Sequence, residues 1–590
     1  MSRVRVINVV LGVLTFVAMY SLWRLLYVPV RFEVRAQNVN FGLQEPCTSG
    51  GTPAPNAFSW DDIIPRKDLV WIDCDARRQC ACLAVPLNYS NPEGEQAAIA
   101  LIRRRASVPE SSDTYRGPIL FNPGGPGGSG VDMIDMAGDL FASLLGPEFD
   151  IVGFDPRGVG RSTPRASFFK TDVERALWGS TGLGTFFNNS DEGVARIWAA
   201  GRLLGQLAAE RDDGHLRHIN TDQTARDMLR IVEAHGREKI QYWGFSYGSV
   251  LGASFAAMFP DKIERLVIDG VVDSENYYAT LWSNNLLDTD KVIDHFFSGC
   301  AEAGPDGCAF WAPTADDVRQ NLTNLYDSIR ARPLPVKTDF SYAILDYTFL
   351  RFVIFRVLYS PYDLFQTLAQ GLADLAAGDG RVLLELVAGP PFQCSCNPAA
   401  HRYDVVGDGQ VAILCNDGDD VPRDLQSSLE YYKFMTNISN WGDIWSTIRL
   451  SCVGWPKFPK DHFQGPFNAN TSHPILLVGN TADPVTPLAA AKKMSSFFNG
   501  SVVLTQDSPG HCSISAPSLC TYTYIHDYFL HGTLPKPGTV CDPIGGPFFK
   551  PPLSDSAAQV PFVREEEEKE LFDVAEKLSR VPIIPFPFRM

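Results

Sequence analysis

At 590 residues the chain is too long for one compact domain, and 45% hydrophobic against 20% charged residues excludes a disordered protein. The net charge of −17 excludes a nucleic-acid binder, which needs a basic patch. The one basic triplet, Arg103-Arg104-Arg105, ends a predicted strand and reads as solvated.

Residues 1–36 carry a membrane signal. Arg3 and Arg5 precede an apolar run from Val6 to Trp23, interrupted by Asn8, Thr15 and Ser21. That length suits a signal peptide or a short membrane-spanning helix. Val34-Arg35-Ala36 offers a cleavage site, but Arg24 breaks the approach to it, which favours a retained anchor. The rest of the chain holds 13 cysteines and sequons at Asn88, Asn188, Asn321, Asn437, Asn470 and Asn499. Both features place the body in the secretory pathway, lumenal or extracellular, with the sequons as glycosylation candidates.

Residues 37–95 read as an irregular lead-in. Over 96–270, apolar strands alternate with amphipathic helices: strands at 118–121, 149–154, 239–243 and 265–269, and a helix capped by Thr221 that stops at Gly236. Strands separated by helices predict a mostly parallel sheet covered on both faces, the α/β class. Over 271–473, helical stretches dominate, with loops rich in Pro, Gly and Cys such as 389–398. This is the pattern of a cap inserted into the core. The α/β pattern returns at 474–540, with strands at 474–478 and 501–504 around a helix at 487–498. Residues 541–590 form a Pro-rich tail with one acidic amphipathic helix, 564–580; Glu565 to Glu568 suit its N-terminal dipole.

The cysteine spacings suggest small loops closed by Cys300 with Cys308 and by Cys512 with Cys520. Cys74, Cys80 and Cys82 crowd one segment, and Cys394 and Cys396 another; connectivity is not set by spacing. The C-x-C pairs lack a second pair with histidine at zinc spacing, so no metal is predicted. The odd total leaves at least one cysteine outside an intrachain bridge.

The chemistry centres on Gly244-Phe245-Ser246-Tyr247-Gly248. A predicted strand precedes this G-x-S-x-G and a helix rich in small residues follows it. Glycines at these positions permit the strained turn that lifts a serine hydroxyl out of a sheet, while Gly252 and Ala256 let the helix pack closely on the strand. A serine hydroxyl needs a base, and the base an orienting carboxylate. Both partners are expected beyond later strands, in the order Ser, Asp, His. Asp483 follows the strand at 474–478, with Asp269 and Asp273 as alternatives. His511 follows the last clear strand, whereas His526 and His531 fall in or at the end of a helix and read as structural. The loop Asn122 to Gly130 follows a strand where oxyanion donors sit. Pro123 and Pro126 have no N–H, which points to the amide of Gly125, with that of Tyr247 as the second donor. The loop lacks the Walker lysine, and beside Ser246 the oxyanion reading prevails over a phosphate-binding glycine loop, so a nucleotide cofactor is not expected. Asp155 and Arg157 read as braces of a neighbouring loop.

These motifs, with Leu83 to Tyr89, Gly153 to Ser162, Ala412 to Cys415, Cys452 to Trp455, Asp483 to Pro487 and Gly510-His511-Cys512, resemble the tripeptidyl-aminopeptidase-like branch of the α/β-hydrolases, related to prolyl aminopeptidases. The resemblance runs from about Cys82 to Cys520. It implies an α/β-hydrolase fold with Ser246 as nucleophile, Asp483 as acid and His511 as base, and a Cys415–Cys452 disulfide. Prolyl aminopeptidases carry a histidine before the two glycines of the oxyanion loop, where this chain has Pro123, which points to the tripeptidyl branch.

The expectation is therefore a serine hydrolase that cleaves peptides near a free N-terminus, with a cap carboxylate holding the substrate ammonium. An esterase or lipase with the same triad is the first alternative. A non-catalytic binding protein is the second, opposed by the presence of all three triad residues.

Overall fold

In a computed structural model, the described residues are 58–180, 192–339, 341–387, 406–549 and 566–586. The N-terminal apolar run, Asn188, Cys394, Cys396, the loop 389–398 and Glu565 lie outside them. Among the described residues no helix is long and apolar enough to cross a membrane.

The strands are β1 (Ile72–Asp73), β2 (Arg78–Pro86), β3 (Gln96–Arg104), β4 (Gly117–Asn122), β5 (Phe149–Phe154), β6 (Ile240–Phe245), β7 (Ile263–Asp269), β8 (Leu334–Lys337), β9 (Tyr342–Leu345), β10 (Leu476–Ala482), β11 (Val502–Pro509) and β12 (Val540–Cys541). Ten of them build one sheet in the order β1-β2-β3-β5-β4-β6-β7-β10-β11-β12. From β5 to β12 neighbours run parallel; β1, β2 and β3 join antiparallel. Strands β4, β5 and β6 are buried along their whole length, as strands covered on both faces must be. The lead-in is thus less irregular than expected: β2 pairs with β3 through nine residues, because its alternating apolar positions fit a sheet margin.

Helices α1 (Gly130–Leu145), α2 (Asp172–Ser180), α3 (Gly193–Arg211), α4 (Thr221–Ala234) and α5 (Tyr247–Met258) belong to the first half of the core. Asn220, not Thr221, caps α4: its side chain accepts from the Gln223 amide. Thr221 instead gives its amide (2.7 Å) and hydroxyl (2.5 Å) to Asp417 in the cap. Gly252 of α5 meets β6 and β7 closely; a Cβ there would lie 2.7 Å from Ile268.

The inserted region contains α6 (Ser274–Tyr278), α7 (Thr289–Gly307, bent at Gly304), α8 (Ala315–Ala331), α9 (Tyr347–Val357), α10 (Pro361–Ala376), α11 (Arg381–Glu385), α12 (Val406–Asp417), α13 (Leu425–Ile438) and α14 (Gly442–Leu450), with β8 and β9 as a separate hairpin. The core resumes with α15 (Leu488–Ser495) and α16 (Leu519–His531), and α17 (Glu566–Leu578) packs on α1.

Among the described residues, four disulfides join Cys74 to Cys80, Cys300 to Cys308, Cys415 to Cys452 and Cys520 to Cys541. The expected Cys512–Cys520 loop does not form. Cys520 reaches the strand end at Cys541, and Cys512 is a buried free thiol beside the candidate site. Cys82 is also free, and burial pushes its thiol up to about 11.

Arg103 departs from the solvated reading of its triplet. It is buried and pairs with Asp150 at 3.2 Å, because β3 lies inside the sheet. Arg157 and Asp155 are braces. Arg157 is bidentate to Asp227 (2.6 and 2.7 Å) and donates to the Pro86 carbonyl. Asp155 accepts from Ser129 and from the amides of Val131 and Arg161.

Candidate active site

The parallel strands end along one line, and the site grows from those ends. Register pairs Asn122 of β4 with Gly244 of β6, and Phe245 of β6 with Asp269 of β7. It also pairs Ala482 of β10 with Pro509 of β11. The residues that follow these pairs emerge side by side.

Ser246 sits between β6 and α5 with φ 56° and ψ −120°, a conformation that costs a non-glycine residue about 1–3 kcal/mol. Its amide donates to the Asp269 carbonyl at 2.9 Å. Gly124 passes so close that a Cβ on it would lie 2.3 Å from the Phe245 carbonyl oxygen, which is why the loop after β4 needs glycine here.

Asp483 and His511 follow β10 and β11, and the Gly510 amide ties the two turns by donating to the Ala482 carbonyl. Nδ1 of His511 lies 3.0 Å from each carboxylate oxygen of Asp483 and 3.2 Å from the Thr486 hydroxyl. The carboxylate also accepts from the amides of Val485, Thr486 and Cys512 at 2.8–2.9 Å. Both side chains are buried. Of the three acids read from the sequence, Asp483 alone meets His511. Asp269 accepts from the Ser513 amide and hydroxyl and from the Trp243 indole, and burial pushes its carboxyl up to about 6. Asp273 caps α6 and pairs with Lys493. His526 points to the Leu144 carbonyl, and His531 ends α16.

A small cavity, about 40 Å³, opens over Ser246. Its floor is Gly125, Pro126, Ser246 and Tyr247, and its far side is Val485 and Thr486. The cap supplies Tyr277, Trp282, Asn285, Tyr359, Gln410, Leu414, Trp445 and Ile448. Tyr359 and Thr486 join the cavity to the base, since Tyr359 meets the His511 ring edge-to-face at 4.9 Å and its carbonyl accepts the His511 amide. The Tyr247 amide opens α5, where no intrahelical acceptor exists, and Gly125 lines the same floor with φ 107°. Gly125, Ser246 and Tyr247 thus line the cavity directly, while His511 and its partner Asp483 adjoin it through Tyr359 and Thr486.

Sequence reasoning missed the cap residues, Thr486 and Cys512. Thr486, Cys512 and Leu414 lie inside the quoted motifs, but nothing in those motifs gives them a place at the site; only the fold brings them here. The lining contains no carboxylate side chain among the described residues. The cap's buried Asp417 stands one layer back, accepting from the Tyr277 hydroxyl at 2.8 Å, with its carboxyl raised by burial. Asp483, His511 and Cys512 place three metal-ligating atoms within 4.8 Å of one another. Those donors are already engaged: Asp483 with three amides and the imidazole, and Cys512 as a thiol whose ionisation burial and nearby carboxylates oppose.

Of the sequon asparagines among the described residues, Asn321, Asn437, Asn470 and Asn499 are exposed and Asn88 is half-buried.

Residues 437–541 match the family profile described as TAP-like protein, and residues 117–306 the profile described as alpha/beta hydrolase fold. The chain is 30% identical to serine protease Hip1 of Mycobacterium tuberculosis over 474 residues, covering 78% of this chain and 87% of that protein. It is 27% identical to tripeptidyl aminopeptidase of Streptomyces lividans, with 82% and 88% coverage. It is 28% identical to carboxylesterase B of Mycobacterium tuberculosis, with 79% and 86% coverage.

Proposed function

The chain belongs to the TAP-like family of α/β-hydrolases and is a serine hydrolase, and we propose that it cleaves peptides near a free N-terminus through an acyl-enzyme. The observation that carries this reading is the strained Ser246 at the floor of a cavity whose other side is tied to the His511–Asp483 pair. Ser246 Oγ attacks the substrate carbonyl and passes its proton to His511 Nε2. Asp483 keeps the proton on Nδ1 and stabilises the imidazolium. The amides of Gly125 and Tyr247 receive the oxyanion. His511 then protonates the leaving amine, and water releases the acyl group from Ser246 by the reverse steps.

A short-chain ester is the second substrate class, favoured by the apolar walls Val272, Leu414, Ile448 and Val485. The body is assigned to the secretory pathway, anchored or released at the N-terminal apolar run and carrying glycans at the sequons. The disulfides among the described residues and the exposed asparagines support that assignment.

The test compares the wild type and Ser246→Ala on a free-amine tripeptide amide, its N-acetyl form and a short-chain ester. Serine-dependent cleavage of the free-amine peptide alone supports the aminopeptidase. Ester cleavage without peptide cleavage replaces it with an esterase. Folded protein silent on all three overturns both readings.

A further inference from the structure

One wall of the cavity comes from far outside the motifs. Pro585 lines it together with Ser246 and Gly125. Its ring lies directly on the oxyanion loop: Cβ atoms built on Gly125 and Gly128 would fall 3.3 and 2.7 Å from Pro585 Cγ. Its neighbour Phe586 is seated against cap and base together. The Phe586 ring meets Tyr359 edge-to-face at 4.9 Å and Phe352 at 5.5 Å, and the Arg356 guanidinium lies 5.1 Å from its centroid. Tyr359 in turn touches His511.

The segment is held from the other side as well. Leu578 and Ile583 are buried in the core cluster that contains Phe121 and Phe141, under helix α1. The Val581 amide donates to the Leu578 carbonyl, and the Ile583 amide to that of Val581. A proline between two anchored apolar residues is a stiff wall, because its ring fixes φ. Both family profiles end before this segment, at 306 and 541.

We propose that Pro585 is a specificity-determining residue: with Phe586 as its anchor, it limits the size of the substrate group that seats against the oxyanion loop. The inference rests on Ser246 being the nucleophile of this cavity. A group that meets Pro585 is excluded by contact with a wall that cannot swing away, so the effect is on large substrates more than small ones. A methylene more or less in a closed pocket is worth about 10-fold or more in selectivity.

The experiment reads this without knowing the natural substrate. Two fluorophosphonates, one with a methyl and one with a branched aryl substituent on phosphorus, are reacted with the wild type, Pro585→Ala and Pro585→Trp. In each case Ser246 Oγ bonds to phosphorus, fluoride leaves and the hydroxyl proton passes to His511. The readout is the ratio of aryl to methyl labelling rates at Ser246. Pro585→Ala is expected to raise that ratio about 10-fold and Pro585→Trp to lower it by a similar factor. A ratio unchanged in the folded variants overturns the proposal, including when both rates fall together, which marks a purely structural role. If Pro585→Ala does not fold, the Pro585→Trp ratio decides alone. Failure of both probes to label wild-type Ser246 overturns the nucleophile assignment and the inference with it, a result distinct from an unchanged ratio.

Discussion

The amide of Cys512 donates to Oδ2 of Asp483 at 2.9 Å, so the residue after the imidazole fixes the carboxylate that orients the imidazole. The pair is locked through the backbone, with Val485 and Thr486 holding the other oxygen. Such a carboxylate cannot turn away from Nδ1, which is the condition for a single histidine tautomer.

Asp483→Asn is therefore expected to leave the fold intact and to lower kcat about 10⁴-fold, because an amide in that position favours the wrong tautomer. Stopped-flow or steady-state rates on any cleaved substrate check it. A loss under tenfold would return the acid role to Asp269 or Asp273.

Asp269 makes the opposite prediction, on stability. Its carboxyl is raised to about 6, chiefly by burial, with Ser513 and Trp243 opposing the shift. A raised carboxyl holds its proton more tightly in the folded state than in the unfolded one. Its contribution to stability is full below about pH 4 and is lost as pH rises through about 6, by an amount on the order of 3 kcal/mol. Asp269→Asn removes this dependence. Urea midpoints at pH 4.5 and pH 7 should show the variant gaining on the wild type as pH rises; equal slopes would rule the titration out.

The strain at Ser246 yields a third prediction. Glycine takes φ 56° without steric cost. Ser246→Gly should be inactive and more stable than the wild type by about 1 kcal/mol, read as a raised Tm in calorimetry. A lowered Tm would show that the serine side chain contributes more than its backbone costs.

Cys415 and Cys452 join the ends of α12 and α14, the helices that carry Gln410, Leu414, Trp445 and Ile448 into the cavity. Their bridge spans 37 residues, worth about 4 kcal/mol in chain entropy. The double Cys→Ser variant should lose stability of that order and raise KM more than it lowers kcat. Matching falls in both would place the bridge's influence on the chemistry itself.

The sequence by itself determined the α/β alternation around the core strands, the elbow at Ser246, the glycine loop at Gly125, and Asp483 and His511 as residues following strand ends. Those features are local: glycine at strained turns, short continuous apolar runs, and short distances from strand end to side chain are written in adjacent residues. Tertiary structure alone decided that Asp483 and not Asp269 meets His511. It bridged Cys520 to Cys541 and kept Cys512 as a thiol, and it made Arg103 a buried partner of Asp150. It also built the cavity from Tyr359, Trp445 and Pro585, which lie far apart in the chain. The reason is sheet register and cap packing: which side chains share a cavity depends on contacts between segments hundreds of residues apart, and no local spacing encodes them.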